Sequence, residues 1–240
     1  MSAAATCSKV CAIFGFGPGI GASVARKWST EGYKVALLSR TMEKLASAAE
    51  DIPNSKAFVC DVTQPENIDK AVADIESDLG PIDVLVWNAG NGVWKTWDKI
   101  ELELFDAAMK TNVYGLLRAT QQIAPGMINR AKANSSSTQQ SILVTGATAS
   151  LRGKPFTAGF APPKGAQRLL AQSFARDLGP KGVHVGLFII DGQVGTSGST
   201  NNDATKLDPD AIATTYWNVA NQHPSAWSFE TEVRPAVESW

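Results

Sequence analysis

Apolar residues occur along the chain in short, nearly continuous runs that are separated by segments of mixed polarity. The runs are rich in β-branched residues and do not alternate with polar ones, which is typical of parallel strands buried on both faces. The predicted strands are residues 10–14, 34–38, 57–60, 84–87, 142–145 and 183–190. Helical spacing between these runs predicts an α/β fold, a Rossmann-like doubly wound parallel sheet that forms a single domain over residues 1–240.

The clearest predicted helix follows the third strand. Thr63 and Glu66 have the spacing of a capping box, and Pro65 suits the first turn. Helical spacing of apolar residues then continues over residues 68–79, and Gly80 ends the pattern. Two polar stretches, residues 131–140 and 192–210, are predicted to be exposed loops.

Composition excludes several classes of function. A formal net charge of −1 provides no basic excess for a phosphate backbone, so nucleic acid is not an expected partner. No apolar run approaches the roughly 18 residues that a membrane span needs. With 3 Cys and 2 His, the chain has too few ligands for a disulfide framework or a metal cluster. We therefore expect a cytoplasmic protein with reduced cysteines and no metal.

A glycine-rich turn follows the first predicted strand and opens a helix. Glycine lets the backbone turn sharply and approach a pyrophosphate, whose charge then lies at the helix N-terminus. The same glycines would also suit a tight structural turn. The residues of the predicted dinucleotide-binding turn are Gly15, Phe16, Gly17, Pro18, Gly19, Ile20 and Gly21.

The end of the second predicted strand indicates which dinucleotide is bound. NAD-binding folds usually place an acid there to hold the ribose hydroxyls, whereas this chain has Ser39 and Arg40. An arginine can bind a 2′-phosphate, so we expect NADP(H) rather than NAD(H). A solvated arginine at the start of the next helix is the alternative interpretation.

The spacing of Gly15, Gly19 and Gly21 resembles that of the short-chain dehydrogenase/reductase family. The resemblance continues to about residue 196 through further motif residues, which are Asp61, Val62, Asn88, Ala89, Gly90, Asn112 and Lys164. It implies that Asp61 and Val62 contact the adenine and that Asn88, Ala89 and Gly90 support the cofactor wall. It further implies that Lys164 holds the nicotinamide ribose, that Asn112 orders a water beside it, and that the protein is a homodimer or homotetramer through residues 102–128 and 160–178.

The chain departs from this family at the catalytic pair. The family has a serine after the fifth strand, a tyrosine thirteen residues later and a lysine four residues beyond the tyrosine. Counting back from Lys164 places Phe160 at the tyrosine position and Ala147 at the serine position. A phenyl ring cannot serve as the general acid, a role worth about 10²–10⁴ in rate. We therefore expect ordinary ketone reduction to be severely weakened.

Two residues near these positions are candidates to replace the missing acid. Thr148 is one residue away from the serine position, and Asp191 lies where the family has a turn beside the nicotinamide. The predicted catalytic residues are Lys164, Asn112 and Asp191. Asp191 would also suit a turn before Gly192, and Asn112 would also suit a bend within a helix.

An apolar substrate pocket is predicted from residues on segments that surround the substrate in the family. They are Trp94, Trp97, Ala147, Phe156, Phe160 and Trp217, and residues 192–222 would form a loop and helix lobe on the substrate side. Packing in the core or in an interface is the alternative for each aromatic residue. Pro162 is predicted to lie in the first turn of the helix that carries Lys164.

Two functional hypotheses follow from these features. The first is an NADPH-dependent reductase that transfers a hydride to an activated C=N or C=C bond of an apolar small molecule, a reaction that needs no hydroxyl acid. The second is a non-catalytic NADP(H)-binding protein that acts as a sensor or assembly partner.

Overall fold

The computed structural model describes residues 9–133, 139–196 and 203–238 of the chain, which form an α/β structure around one parallel sheet. Seven strands form this sheet and two short ones form a separate pair. In chain order the strands are β1 (Val10–Phe14), β2 (Lys34–Ser39), β3 (Ser55–Val59), β4 (Ile82–Trp87), β5 (Gln140–Thr145), β6 (Val183–Ile190), β7 (Gln193–Val194), β8 (Lys206–Leu207) and β9 (Glu230–Val233).

Helices cover both faces of the sheet. They are α1 (Ile20–Thr30), α2 (Met42–Asp51), α3 (Pro65–Asp78), α4 (Leu102–Met109), α5 (Gly115–Ala133), α6 (Ala161–Leu178) and α7 (Pro209–Ala220). The apolar faces of α3, α5 and α6 contribute to one buried cluster, and those of α1, α2 and α7 contribute to the other. The predicted Rossmann-like doubly wound sheet in a single domain is therefore confirmed.

The strand order places the carboxyl ends of the strands around one crevice. The large sheet runs β3-β2-β1-β4-β5-β6-β9, and every neighbouring pair is parallel. The order reverses between β1 and β4, which is where ligands bind in open α/β sheets. The glycine-rich turn after β1 and the residues after β4 and β5 meet at this point.

The structure confirms six predicted strands, with β3 shifted toward the N-terminus by one to two residues. The sequence analysis missed β9, because its residues alternate between exposed and half-buried positions at the sheet edge.

The predicted capping box of α3 is wrong. The residue before the helix is Gln64, and the Thr63 hydroxyl instead donates to Oδ1 of Asp61 at 2.8 Å. This carboxylate, two residues upstream, also accepts the Thr63 N–H, so it captures Thr63 before the helix begins.

The remaining segment predictions have mixed outcomes. α6 begins at Ala161, which confirms that Pro162 lies in its first turn. The predicted loop at residues 131–140 is shorter, since α5 extends to Ala133, and residues 134–138 lie outside the described part. The loop at 192–210 contains the β7 and β8 pair, and α7 starts at Pro209. Residues 197–202 lie outside the described ranges.

Cys11 and Cys60 are buried free thiols, while Cys7 lies outside the described residues. Within the described ranges, no helix has the length and apolar character that crossing a membrane requires. Leu102, Leu117 and Leu169 are exposed on helices for which subunit contacts are predicted. The oligomeric state stays a prediction.

A buried polar cluster joins four elements at the edge of the sheet opposite the crevice. Asp83, at the start of β4, accepts hydrogen bonds from the backbone N–H of Val10 at 3.0 Å and from Nε2 of Gln140 at 3.0 Å. Nε of Arg130 on α5 lies 3.5 Å from the same carboxylate. Because Asp83 is buried, its negative charge depends on all three donors.

We expect Asp83→Ala to lower the free energy of unfolding by about 2–4 kcal/mol, because it leaves the Val10 N–H and the Gln140 amide without their acceptor and removes the countercharge of the half-buried Arg130. Denaturant unfolding followed by circular dichroism measures this change. The control is Asp74→Ala on the exposed face of α3, which breaks only an ion pair with Lys70 and should cost less than about 0.5 kcal/mol. Equal losses for the two variants would contradict the assignment.

Candidate active site

Two cavities lie side by side along the crevice at the carboxyl ends of the strands. Their volumes are about 630 Å³ and about 550 Å³, and we call them the inner cavity and the outer cavity. Asn88, Gly90 and Asn91 line both of them. The crevice is therefore one groove, which runs from the end of β2 past the end of β4 to α6.

The glycine-rich turn lies beside both cavities: Gly15 lines the outer cavity, and Ile20, at the end of the turn, lines the inner one. Gly15 has φ +89°, and a Cβ atom there would stand 2.3 Å from the backbone nitrogen of Ala89, so only glycine fits. Beyond the turn, a Cβ on Gly17 would meet nothing within 4 Å. α1 has Gly19 as its N-cap and no side-chain capping hydrogen bond, so its first N–H groups have no side-chain partner. This arrangement can accept a phosphate.

The outer cavity is lined on one side by the end of β2 and on the other by the segment after β3. Ser39 and Arg40 contribute the first side, and Asp61 and Val62 contribute the second. The Arg40 side chain is exposed, and within the described part of the chain it has no hydrogen bond or ion pair. It is therefore available to a ligand in this cavity.

A hydrogen-bond chain links the glycine turn to β5 and α7. Nδ2 of Asn88 donates to the carbonyl oxygen of Gly15 at 2.8 Å, and Oδ1 of Asn88 accepts from Oγ1 of Thr145 at 2.9 Å. The hydroxyl of Tyr216 lies 2.9 Å from the same Oγ1 and acts as its donor, because the Thr145 proton is already used. Burial raises the pKa of Tyr216, so this hydroxyl keeps its proton.

Lys164 is the buried cation of the inner cavity. Its Nζ donates to the carbonyl oxygen of Thr145 at 2.9 Å and to Oε1 of Gln167 at 3.0 Å. Burial lowers the pKa of Lys164 to about 8, because no carboxylate pairs with it to offset the loss of solvation. An ammonium has three protons, so one N–H remains for a ligand.

Asn112 supports this region from behind. It lies in a π-helical turn (Lys110–Tyr114) between α4 and α5, which is the bend that the sequence analysis gave as its alternative. Its Nδ2 donates to the carbonyl oxygens of Asn91 at 2.7 Å and Ala108 at 2.8 Å. The side chain therefore holds the segment after β4, and it does not line either cavity.

Aromatic side chains form one wall of the inner cavity. The rings of Trp94 and Phe160 pack with their centroids 4.6 Å apart, and Ala147 lines the same cavity. A Cβ on Gly92 would stand 2.2 Å from Cδ2 of Phe160, so the phenyl ring needs glycine beneath it. Val93 and Gly159 form an isolated antiparallel bridge that holds the two wall segments together.

Asp191 lines the inner cavity, but both of its carboxylate oxygens have partners. Oδ1 accepts from Oγ1 of Thr148 at 2.6 Å, and Oδ2 lies 3.1 Å from the guanidinium of Arg234. This arrangement suits a structural anchor between β5, β6 and the chain after β9 better than a proton donor.

The predicted site residues divide into three groups by position. Those that line the outer cavity are Gly15, Ser39, Arg40, Asp61, Val62, Asn88, Ala89 and Gly90. Those that line the inner cavity are Ile20, Asn88, Gly90, Trp94, Ala147, Phe160, Lys164 and Asp191. Gly17, Gly19, Gly21 and Asn112 line neither cavity.

The predicted position of Trp217 at the substrate mouth is wrong. Its ring packs against Trp28 at 5.3 Å and Tyr33 at 5.9 Å, on the face of the sheet that α1 covers. Trp97 and Phe156 are exposed and line neither cavity. The position of a single tryptophan in the sequence of α7 does not show whether it lies on the helix face toward the cavity or on the face toward α1.

Sequence reasoning missed four side chains of this site, which are Arg152, Lys154, Gln167 and Arg234. Gln167 had a usable signal, since it lies three residues from Lys164 on one helix face. Arg152 and Lys154 lie in a loop, and Arg234 reaches the site only because β9 joins the sheet. None of these three has a local pattern that points to the cavity.

Comparisons with known proteins agree with this geometry. A family model described as short chain dehydrogenase matches residues 9–206. An oxidoreductase named asL5 from Sarocladium schorii is 31% identical over 178 residues, which is 74% of this chain and 69% of that protein. A short-chain dehydrogenase structure from Rhodopseudomonas palustris is 30% identical, has a TM-score of 0.81, and is matched over 95% of this chain and 98% of that one. A metagenomic short-chain oxidoreductase in complex with NADP is 25% identical with a TM-score of 0.81, over 95% and 98% of the two chains.

The lowered pKa of Lys164 makes a prediction about stability. The pKa of Lys164 is about 8 in the folded protein and 10.5 in the unfolded chain. Between these two pH values the unfolded state binds more protons than the folded state, so the free energy of unfolding rises with pH. We expect the unfolding free energy of the wild type, minus that of Lys164→Met, to increase by about 1.4 kcal/mol per pH unit across this window.

Urea unfolding of both proteins at a series of pH values measures this difference. Lys70→Met is the matched control, because it replaces a lysine by methionine at an exposed position. A flat difference for Lys164→Met would show that the ammonium is solvated in the folded protein.

Proposed function

Because the chain belongs to the short-chain dehydrogenase family, we propose that it is a nicotinamide-dependent oxidoreductase that works in the groove formed by the two cavities. The observation that carries this proposal is the continuity of the groove. It joins a phosphate-accepting glycine turn to a buried cation at Lys164, through the shared wall of Asn88, Gly90 and Asn91. A dinucleotide needs such an elongated site with a polar floor.

The groove fits a dinucleotide in each of its parts. The glycine turn and the N-terminus of α1 would hold the pyrophosphate, and Asp61 with Val62 would border the adenine in the outer cavity. Lys164 would hold the ribose at the inner end with its remaining N–H. When bound, the nicotinamide supplies or accepts a hydride.

We propose NADP(H) as the preferred dinucleotide. Arg40 is exposed in the outer cavity beside Ser39, and its guanidinium is unpaired within the described residues. A planar guanidinium binds a phosphate through two N–H groups, and the end of β2 has Ser39 and Arg40 where an acid would hold ribose hydroxyls instead. The related metagenomic oxidoreductase in complex with NADP supports the same choice.

The proton chemistry falls to Lys164 if Ala147 and Phe160 stand where the family has its serine and tyrosine. That equivalence is supported by the presence of all three residues on one cavity. A pKa of about 8 leaves Lys164 protonated at neutral pH and able to release a proton to a ligand. Its backbone partner at Thr145 and its side-chain partner Gln167 fix Nζ in place.

The hydride acceptor that suits a site with Lys164 but without a hydroxyl acid is an electron-poor C=N or C=C bond in a small molecule with an apolar part. Such a bond takes a hydride without a hydroxyl acid at the reacting oxygen, whereas a simple ketone needs one. The rings of Trp94 and Phe160 would contact the apolar part. Of the predicted lobe at residues 192–222, Gly192 lines the inner cavity and would border the substrate, whereas α7 packs against α1.

A non-catalytic NADP(H)-binding protein is the second candidate. It is favoured by the side chains of Ala147 and Phe160, which provide no proton, and by the engagement of both Asp191 oxygens. The two candidates share the cofactor site and differ only in turnover.

The choice of cofactor is tested with Arg40→Ala. We expect the Kd of NADPH to rise about tenfold or more, because a charge-assisted contact to phosphate is lost, and the Kd of NADH to change less than about twofold. Titration of cofactor fluorescence measures both constants. Arg176→Ala, which removes an exposed arginine far along α6, should change neither. Equal affinities of the wild type for the two cofactors would refute the NADP(H) assignment.

Turnover is tested by NADPH oxidation against a panel of imines, enones and simple ketones. We expect oxidation with imines or enones and little with ketones. The rate should fall as the pH rises above about 8, because the Lys164 ammonium then loses its proton. The double variant Ala147→Ser with Phe160→Tyr should gain weak ketone reduction, with less from either single change and little change in NADPH binding.

Two results would overturn the reductase proposal in different ways. Oxidation with no member of the panel, together with tight NADPH binding, would favour the non-catalytic candidate. Rapid ketone reduction by the wild type would mean that another acid supplies the proton.

A further inference from the structure

The mouth of the inner cavity is cationic. Arg152 and Lys154, in the loop between β5 and α6, line the cavity and are exposed at its opening, while Lys164 lies buried inside it. Asp191 is the one acidic side chain among the described lining residues, and it is already paired with Arg234. The net charge that a ligand meets in this cavity is therefore positive.

Neither Arg152 nor Lys154 pairs with another side chain within the described ranges. Within the described ranges, the side chains of Arg152 and Lys154 have no hydrogen bond or ion pair, whereas many other surface cations pair with a nearby acid. The segments outside those ranges contain no Asp or Glu in the sequence. No acidic side chain of the chain is therefore left to neutralise these two residues.

The loop that carries them is held in a defined turn. The Thr157 N–H donates to the carbonyl oxygen of Lys154 at 3.1 Å, and Oγ1 of Thr157 accepts from the Lys154 N–H at 2.8 Å. Pro155 and the positive φ of +66° at Phe156 are the features of a type II turn, whose third position normally favours glycine. A phenylalanine there is strained, and the surrounding hydrogen bonds must offset this strain.

The cavity that carries this charge also has an apolar wall. The packed rings of Trp94 and Phe160 line the same cavity as Arg152 and Lys154. A ligand that fits both sides must have an apolar body and a negative group at one end. Neutral apolar molecules would leave two cations at the mouth without a partner.

We propose that the inner cavity binds organic anions, with a carboxylate held by Arg152 and Lys154 and an apolar body packed against Trp94 and Phe160. The proposal rests on the proposed function only in assigning this cavity to the substrate. It adds the charge of the substrate, which the family resemblance does not specify.

Isothermal titration with naphthoate and naphthamide tests the proposal, because the two probes have the same ring system and differ in charge. We expect the wild type to bind naphthoate about tenfold or more tightly than naphthamide, and to lose this preference at high salt. The double variant Arg152→Gln with Lys154→Gln should bind both probes within about twofold of each other, with its naphthamide affinity unchanged. Arg176→Gln, which removes one exposed positive charge at the other end of α6, should keep the full preference.

Three results would overturn the proposal. They are equal affinities of the wild type for the two probes, no detectable binding of naphthoate, and a double variant that loses both probes together. A parallel titration with NADPH tests the alternative that Arg152 and Lys154 bind the cofactor. If the double variant loses NADPH affinity to the same extent as naphthoate affinity, the two cations hold the cofactor and the proposal is wrong. The titrations measure binding and need no turnover. They therefore still test whether the inner cavity binds organic anions if the protein proves not to be a reductase.

Discussion

The close approach of the turn at Gly15 to the backbone at Ala89 is the constraint on which the site depends. No side chain fits between them, and the side chain of Asn88 ties the two segments together through the Gly15 carbonyl. The contact sets the floor of the groove at the point where the outer and inner cavities meet. Through Thr145 it also fixes β5 and, by way of Tyr216, α7 on the opposite face. The outer and inner cavities thus share one close backbone contact.

The burial of Lys164 shows how the fold supports a destabilising group. No carboxylate faces its ammonium, so the lowered pKa reflects a real cost of desolvation at neutral pH. The carbonyl of Thr145 and the amide of Gln167 offset part of it without a countercharge. A carboxylate partner would have raised the pKa of Lys164 and neutralised its charge in the cavity. The Asp83 cluster at the other edge of the sheet shows the contrasting arrangement, in which a buried charge has a full set of donors.

The sequence predicted the parts of this structure that depend on local patterns. Buried strands read as apolar runs, and the glycine turn is visible because only glycine permits its geometry. β9 escaped prediction because an edge strand has one exposed face, and the capping box failed because Asp61 competes for Thr63 at closer range. Lys164 and Phe160 were assigned to one site by the spacing of the family resemblance, and both line the inner cavity. Arg234, by contrast, reaches Asp191 through pairing of β9 with β6, a long-range contact that no local pattern encodes.

The charges along the groove form a pattern that the net charge of the chain conceals. The whole chain carries −1, yet Arg40, Lys164, Arg152 and Lys154 follow one another from the outer cavity to the inner mouth. The two acids of the groove are both engaged, since Asp61 accepts from Thr63 and Asp191 accepts from Thr148 and pairs with Arg234. Of these two acids, only Asp191 has a cationic partner, whereas Arg40, Arg152 and Lys154 have no acidic partner within the described ranges. A concave site lined in this way focuses a positive potential on anions that enter it, and salt weakens this effect most at the exposed ends. The cofactor and an anionic substrate would then be attracted by one continuous field, which is strongest where Lys164 lies buried.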